Sequence, residues 1–245
     1  MIPKRNKAAE IRKYGVDWGA DLIGIANAEE LNRDAPAKHR PKDFLPKAKS
    51  VVVIGLRLLD PVMSSLPASR QEYTLMFYTV NNWLNHLAYA MARKLEEDGY
   101  PSYTFSYSPK EAGIPRQDPK ELYDTISYKH AAVYAGLGQY GFNHLLVTPK
   151  FGPRVRLAAL ATEAELEPGS PLAPALCRPA ECGYRCVEAC PAECLDKTGK
   201  LNRFKCQNYL SSVLKVYKCG HCVAACPVDL IKDNWKKRNH SVTGG

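Results

Sequence analysis

All nine cysteines of this 245-residue chain lie between Cys177 and Cys226, and none precedes them. Their spacing is Cys177-x4-Cys182-x3-Cys186-x3-Cys190-Pro191, then Cys194 and Cys206, then Cys219-x2-Cys222-x3-Cys226-Pro227. Thiols this dense are either cross-linked to one another or bound to metal. The N-terminus, MIPKRNKAAEIRKYG, is polar and carries no apolar signal core. No apolar run reaches the ~18–20 residues that span a bilayer. The chain is therefore expected in the cytoplasm, where thiols stay reduced and metal ligation outranks a disulfide scaffold. Cys219-Gly220-His221-Cys222, read alone, is the CGHC of a disulfide-exchange enzyme. Here Lys218 precedes it, and Cys226-Pro227 follows at ligand spacing, so the pair reads as a metal ligand. Val223 after Cys222, where a c-type haem site needs His, excludes that cofactor. Zinc is the competing reading for any set of four thiols.

Two of the runs end in x3-Cys-Pro, and in this they resemble the bacterial two-cluster ferredoxins, in which the Cys before Pro ligates the other cluster. The resemblance implies two [4Fe-4S] clusters. One would take Cys177, Cys182, Cys186 and the distant Cys226; the other Cys190, Cys206, Cys219 and Cys222. Cys194, in CPAECL, is left over as a structural thiol. Two crossed sets with Cys-Pro ends favour iron–sulfur over zinc.

Upstream, Ala8–Gly19 reads as a helix, and Asp21–Ala26 and Ser50–Leu59 as strands, crowded with β-branched and aliphatic residues. Arg70–Asp98 is the clearest helix: Tyr73, Met76, Phe77, Val80, Trp83, Leu84, Leu87, Met91 and Leu95 recur at three- and four-residue steps, and Gly99 supplies a stop. His86 beside this stripe reads as a packed or surface residue. Ser102–Tyr107 and Arg154–Ala161 read as strands, and Ser127–Ala135 as a short helix. Strands and helices mix without a βαβ rhythm, which predicts an α+β fold. Thr162–Leu176, TEAELEPGSPLAPAL, reads as a linker between domains at 1–165 and 166–245. The formal net charge of +9 is spread along the chain, which favours a solvated basic surface over a nucleic-acid groove.

The most distinctive upstream stretch is SYKHAAVYAGLGQYGFNHLLVTPKFGPRVRL, Ser127–Leu157. Gly136, Gly138, Gly141 and Gly152 would let backbone approach something flat or bulky. The G-x-G-x-x-G within it follows a helix rather than a strand and lacks the later acidic residue, which argues against a dinucleotide fold. Followed by the cysteine runs, this stretch resembles the cobalamin-dependent iron–sulfur reductases, a group that includes the reductive dehalogenases and the epoxyqueuosine reductases. GADLIGIANAEEL and HRPKDFLPKAKSVVVIGL are similar to the N-terminal half of that family. The resemblance implies a nitroreductase-like cofactor-binding domain followed by a double-cluster ferredoxin-like domain. It also implies cobalamin beside the clusters, held without a lower ligand from His130 or His144; flavin is the alternative occupant. Gly136, Leu137, Gly138, Gly141, Phe142, Asn143 and Gly152 are the expected cofactor-binding residues. Arg154, Tyr107, Tyr128 and Asp124 are the candidates for proton delivery to substrate; Tyr103 is a further tyrosine in reach of the same role. Epoxyqueuosine reductases have Trp and Lys after Gly-Leu-Gly, where this chain has Gln139, Tyr140 and Phe142. A dehalogenase-like reduction of a small molecule is therefore the leading expectation, with an electron donor such as ferredoxin or flavodoxin. A non-catalytic electron carrier, or a partner that reduces another protein's corrinoid, and a tRNA epoxyqueuosine reductase are the alternatives.

Overall fold

The computed structural model describes residues 4–105, 120–122, 124–173 and 175–228. In chain order the elements are α1 (Lys4–Asp17), β1 (Leu22–Asn27), α2 (Ala28–Asp34), α3 (Pro41–Phe44), β2 (Ser50–Arg57), α4 (Asp60–Ser64), α5 (Arg70–Glu97), β3 (Ser102–Phe105), α6 (Tyr128–Tyr134), β4 (Gln139–Tyr140), β5 (Leu146–Val147), β6 (Val155–Thr162), α7 (Arg185–Glu188), α8 (Arg203–Asn208), a π-helical turn (Tyr209–Val213) and α9 (His221–Ala224). Helix and strand are mixed, as the sequence predicts. Among the described residues no helix is long and apolar enough to cross a membrane.

The chain folds into two compact units, and the division is not the single cut expected at residue 165. The first unit is Met1–Leu56, Tyr78–Leu137 and Arg156–Leu172; the second is Arg57–Phe77, Gly138–Val155 and Ala173–Gly245.

The first unit is built on a sheet of strand order β1-β2-β6-β3. β1 pairs antiparallel with β2 from Leu22↔Gly55 to Asn27↔Ser50, and β3 with β6 from Ser102↔Thr162 to Phe105↔Ala159. Every residue of β2 but Arg57 is buried, as an interior strand covered on both faces must be. Its core joins Ile25, Val52, Ile54, Ala158 and Leu160 of the sheet to Ala8 and Ile11 of α1 and to Leu84, Leu87, Met91 and Leu95 of α5. That is the apolar stripe read from the sequence, except that Trp83 stays 54% exposed. Gly99 ends α5 as expected: at φ +87° it lets Gly99 N–H reach Glu96 O and Tyr100 N–H reach Leu95 O.

Thr162–Leu176 is not a free linker. Ala164 and Leu166 are buried, Leu166 N–H donates to Ser50 Oγ at 3.0 Å, and Gly169 N–H donates to Ile25 O at 2.8 Å. The Pro, Glu and Gly content hides an alternation in which residues 164 and 166 point inward and Glu165 and Glu167 outward.

Candidate iron–sulfur centre

The second unit gathers the thiols. Cys177, Cys182, Cys186 and Cys226 line one cavity of about 720 Å³ with Phe142 and Asn143. Burial pushes the Cys186 thiol up to about 11, and Cys226, Cys177 and Cys182 add to the rise, so these four are electrostatic neighbours. Burial raises Cys222 further, followed by Cys219, Cys206 and Cys190, and then Cys186. Cys186, which belongs with the first group, also acts on Cys222, so the two groups are neighbours. Thiols that repel one another when ionised become good ligands once a cation shares their charge. Among the described residues no three His, Cys, Asp or Glu converge on a point where one ion would sit. Cys177, Cys182, Cys186 and Cys226 stand around a larger space, and a donor set of four thiols fits a cubane cluster. Cys194, buried at 6%, lies with its Sγ 3.3 Å from that of Cys190 and packs with Leu195 and Cys186. Against burial, hydrogen bonds from Cys194 hold Cys190 below the usual thiol range.

The cysteine loops are held by the two upstream pieces of the same unit. At the start of α5, Arg70 donates from Nη1 to Lys218 O at 3.2 Å, and its Nη2 lies 3.0 Å from His221 Nε2. Burial, then the Arg70 charge, lowers the His221 pKa, so the ring is neutral and Nε2 accepts. Thr74 Oγ1 accepts from Lys218 N–H at 3.0 Å. Between these anchors Gly220 turns at φ +72°, where a Cβ would meet the Tyr73 ring at 2.8 Å. From the other piece, Arg154 donates through Nη2 to Ala224 O at 3.1 Å and to Cys226 O at 3.0 Å, and its Nε lies 3.4 Å from Asp60 Oδ1. Arg154 is 1% exposed. Burial raises both Cys219 and Cys226; Arg70 opposes this at the first and Arg154 at the second.

The residues expected to bind a cofactor divide between the units. In the first, Gly136 turns at φ +73° with its missing Cβ 2.5 Å from Ser170 O, and Leu137 packs where a Cβ on Gly24 would stand. In the second, a Cβ on Gly138 would strike Val147 O, one on Gly141 would strike the Val147 side chain, and one on Gly152 would lie 1.7 Å from Val228 O. Phe142 directs its N–H at Cys177 Sγ, 3.3 Å away, and sets its ring edge-on to Tyr184. Asn143, buried, donates to Cys222 O at 3.3 Å. The room these glycines leave is taken up by the chain itself. Beside them, Phe142 and Asn143 brace the cysteine loops.

Of the expected proton donors, Asp124 and Tyr128 come together in the first unit. Burial, then the Asp124 charge, raises the Tyr128 phenol far above its ordinary range. His39 Nδ1 lies 2.7 Å from the Asp124 carbonyl oxygen. Tyr107 lies outside the described residues. Arg154, in the second unit, serves as a clamp on the loop of Cys226. The sequence reading missed Arg70, Thr74 and Asp60. Arg70 carried one signal: a cation in the first turn of a helix opposes the helix dipole and calls for another reason to be there.

No family model matches the chain. It is 26% identical over 263 residues to the epoxyqueuosine reductase of Bacillus subtilis, which covers 91% of this chain and 64% of that protein. It is 44% identical over 64 residues to the tetrachloroethene reductive dehalogenase of Desulfitobacterium hafniense, 26% of this chain and 12% of the other. Among solved structures, an epoxyqueuosine reductase with an epoxyqueuosine-modified tRNA stem loop superposes with a TM-score of 0.60 at 21% identity, over 91% of this chain and 65% of that one. A catabolic reductive dehalogenase in complex with 3-bromo-4-hydroxybenzoic acid superposes with a TM-score of 0.70 at 19% identity, over 96% of this chain and 34% of the other. The chain thus spans just under two thirds of the length of the curated epoxyqueuosine reductase and shares the fold of both groups.

Proposed function

We propose that this relative of the epoxyqueuosine reductases and reductive dehalogenases is an iron–sulfur oxidoreductase that reduces an epoxide carried on a tRNA nucleoside. The observation that carries the reading is the match to an epoxyqueuosine reductase along 91% of the chain. It reverses the ranking drawn from Gln139, Tyr140 and Phe142, which put a small organic substrate ahead of tRNA. The net charge of +9 suits an RNA partner, whose phosphates exchange counterions for Lys and Arg. The first unit is then the nitroreductase-like part, and the cysteine-bearing stretch of the second the ferredoxin-like part.

Cys177, Cys182, Cys186 and Cys226 would hold one [4Fe-4S] cluster, and Cys190, Cys206, Cys219 and Cys222 the other. Bound there, the clusters supply electrons one at a time, drawn from a donor of the ferredoxin or flavodoxin class. Reducing an epoxide to an alkene takes two electrons and two protons, both delivered to its oxygen, which leaves as water. Of the Asp124–Tyr128 pair, Asp124 is the better donor, because a phenol held far above its ordinary pKa gives up its proton reluctantly. A Bacillus subtilis epoxyqueuosine reductase has been solved with an aspartate catalytic loop swung out of its active site, which supports this choice. A reductive dehalogenase relative is associated with B12-dependent dehalogenation, and cobalamin, with flavin as the alternative, would supply the two-electron reduction at the substrate here.

The second reading, reduction of a halogenated small molecule, rests on the 44% identity over 64 residues. One experiment separates the two. The full chain is reconstituted anaerobically to about eight irons, four per cubane. It is then offered cobalamin or flavin, desalted and assayed for cobalt and flavin. The loaded protein is finally given an epoxyqueuosine-modified stem loop or an aryl halide. Loss of the epoxide, abolished about 10²–10⁴-fold by Asp124→Asn with iron content unchanged, is the expected result. Halide release with the stem loop untouched would overturn it in favour of the second reading.

A further inference from the structure

Arg70 and Arg154 reach the last cysteine run from two different upstream segments, and they grip it at opposite ends. Arg70 holds Lys218 O and the His221 ring, on either side of Cys219. Arg154 holds Ala224 O and Cys226 O. The two ends belong to different ligand sets, since Cys219 falls in one and Cys226 in the other. We propose that the two arginines are positioning residues that set the reduction potentials of the two clusters separately, Arg70 acting on the cluster of Cys219 and Arg154 on the cluster of Cys226. This rests on the ligand assignment made above.

The physical basis is the fixed charge. A cluster becomes more negative by one charge when it accepts an electron, so a guanidinium held beside it favours the reduced form and raises its potential. Arginine keeps its charge at every working pH, and its planar fork fixes the distance in a way that lysine does not. The two sites are not equivalent. Arg154 shares its charge with Asp60 at 3.4 Å, whereas Arg70 turns its Nη2 to His221 Nε2, which accepts from it and carries no counter-charge. The same kind of residue therefore gives the Cys219 cluster the stronger positive field, and that cluster should be the one with the higher potential.

The test is an EPR-monitored redox titration of the reconstituted full chain. Cys182→Ser and Cys206→Ser identify which signal belongs to which cluster. Arg70→Gln should lower the potential of the Cys206 cluster alone, by about tenfold in the reduced-to-oxidised ratio at fixed potential, which is ~59 mV for one electron. Arg154→Gln should lower the other alone. Because Arg154 is buried and its loss can prevent folding, Asp60→Asn provides the opposite change: it leaves Arg154 in place, removes its counter-charge and should raise the potential of the Cys182 cluster. Arg70→Lys, which keeps charge and loses the fork, should fall between the original protein and Arg70→Gln. Two clusters whose potentials ignore Arg70→Gln and Asp60→Asn, or move together in either variant, would overturn the inference while leaving the ligand assignment standing. Failure of the unsubstituted chain to hold two clusters, by iron and sulfide assay, would overturn the assignment and the inference with it.

Discussion

The sheet unit buries Val51, Val52, Val53 and Ile54 completely and sets Val52 and Ile54 against Leu84, Leu87, Met91 and Leu95 of a long helix. The thiol unit has a small buried cluster of Cys186, Cys194 and Leu195, and it leaves Phe204, Val213 and Val216 more than half exposed. Its helices after residue 173 are one turn or two: Arg185–Glu188, Arg203–Asn208 and His221–Ala224. Helices that short have little stability of their own. One unit is held by apolar burial; the other depends on side-chain clamps and on whatever its thiols bind.

The strongest way to break this comparison is to take the metal away. Chelating iron from the reconstituted chain should erase amide-exchange protection in Arg203–Asn208 and His221–Ala224 and leave it in Ser50–Arg57 and Val155–Thr162. Simultaneous loss in both regions would show that the two stabilities are one. Next in size is Gly152→Ala. At φ +56° and 1.7 Å from Val228 O, the added methyl must push the Pro227–Val228 segment after Cys226 aside. Iron should fall from about eight to about four per chain, because one cubane loses a ligand; full iron content would contradict the close approach. Leu160→Ala, at a fully buried position of β6, should cost about 2–5 kcal/mol in denaturant unfolding of the sheet unit, with iron per folded chain unchanged.

The smallest effect concerns the ion network that ties α1 to the end of α5. Lys7 and Lys94 both bond Asp98, and both pair with Glu10. At Asp98 desolvation acts upward but the two lysines outweigh it, and its pKa falls; Glu10 is lowered chiefly by its bond to Lys7. A carboxylate with a lowered folded-state pKa contributes stability above its unfolded pKa and loses it as pH falls through the folded one. Asp98→Asn should therefore lower the thermal midpoint at pH 7, by about 1 kcal/mol or less in stability terms. The gap should close as the pH drops below about 4, the ordinary carboxylate range. A gap that persists in acid would mean that Asp98 matters through packing instead.

Much of the sheet unit was legible because its forces are periodic. The stripe from Tyr73 to Leu95, the β-branched run at Ser50–Leu59 and the stop at Gly99 are local patterns with local causes. That Cys177, Cys182, Cys186 and Cys226 line one cavity accords with their spacing, since ligand spacing reflects how a chain wraps a compact cluster. What the sequence concealed was the support. Arg70 and Arg154 stand 149 and 72 residues from Cys219 and Cys226, respectively, and nothing in their own neighbourhoods announces a partner there. The glycines were legible as sites of close approach, but not as to what approaches. Ser170, Val147 and Val228 stand closest to them.

The interleaving of the two units also carries a consequence for synthesis. Arg57–Phe77 leaves the ribosome long before Ala173–Gly245, with which it must fold. At about 5–20 residues per second, it waits roughly 7–30 seconds for the loop of Cys219 to appear. During that interval Arg70, Thr74 and Tyr73 have no loop to hold. The thiols come to anchors already made, so whatever they bind closes a unit begun at Arg57.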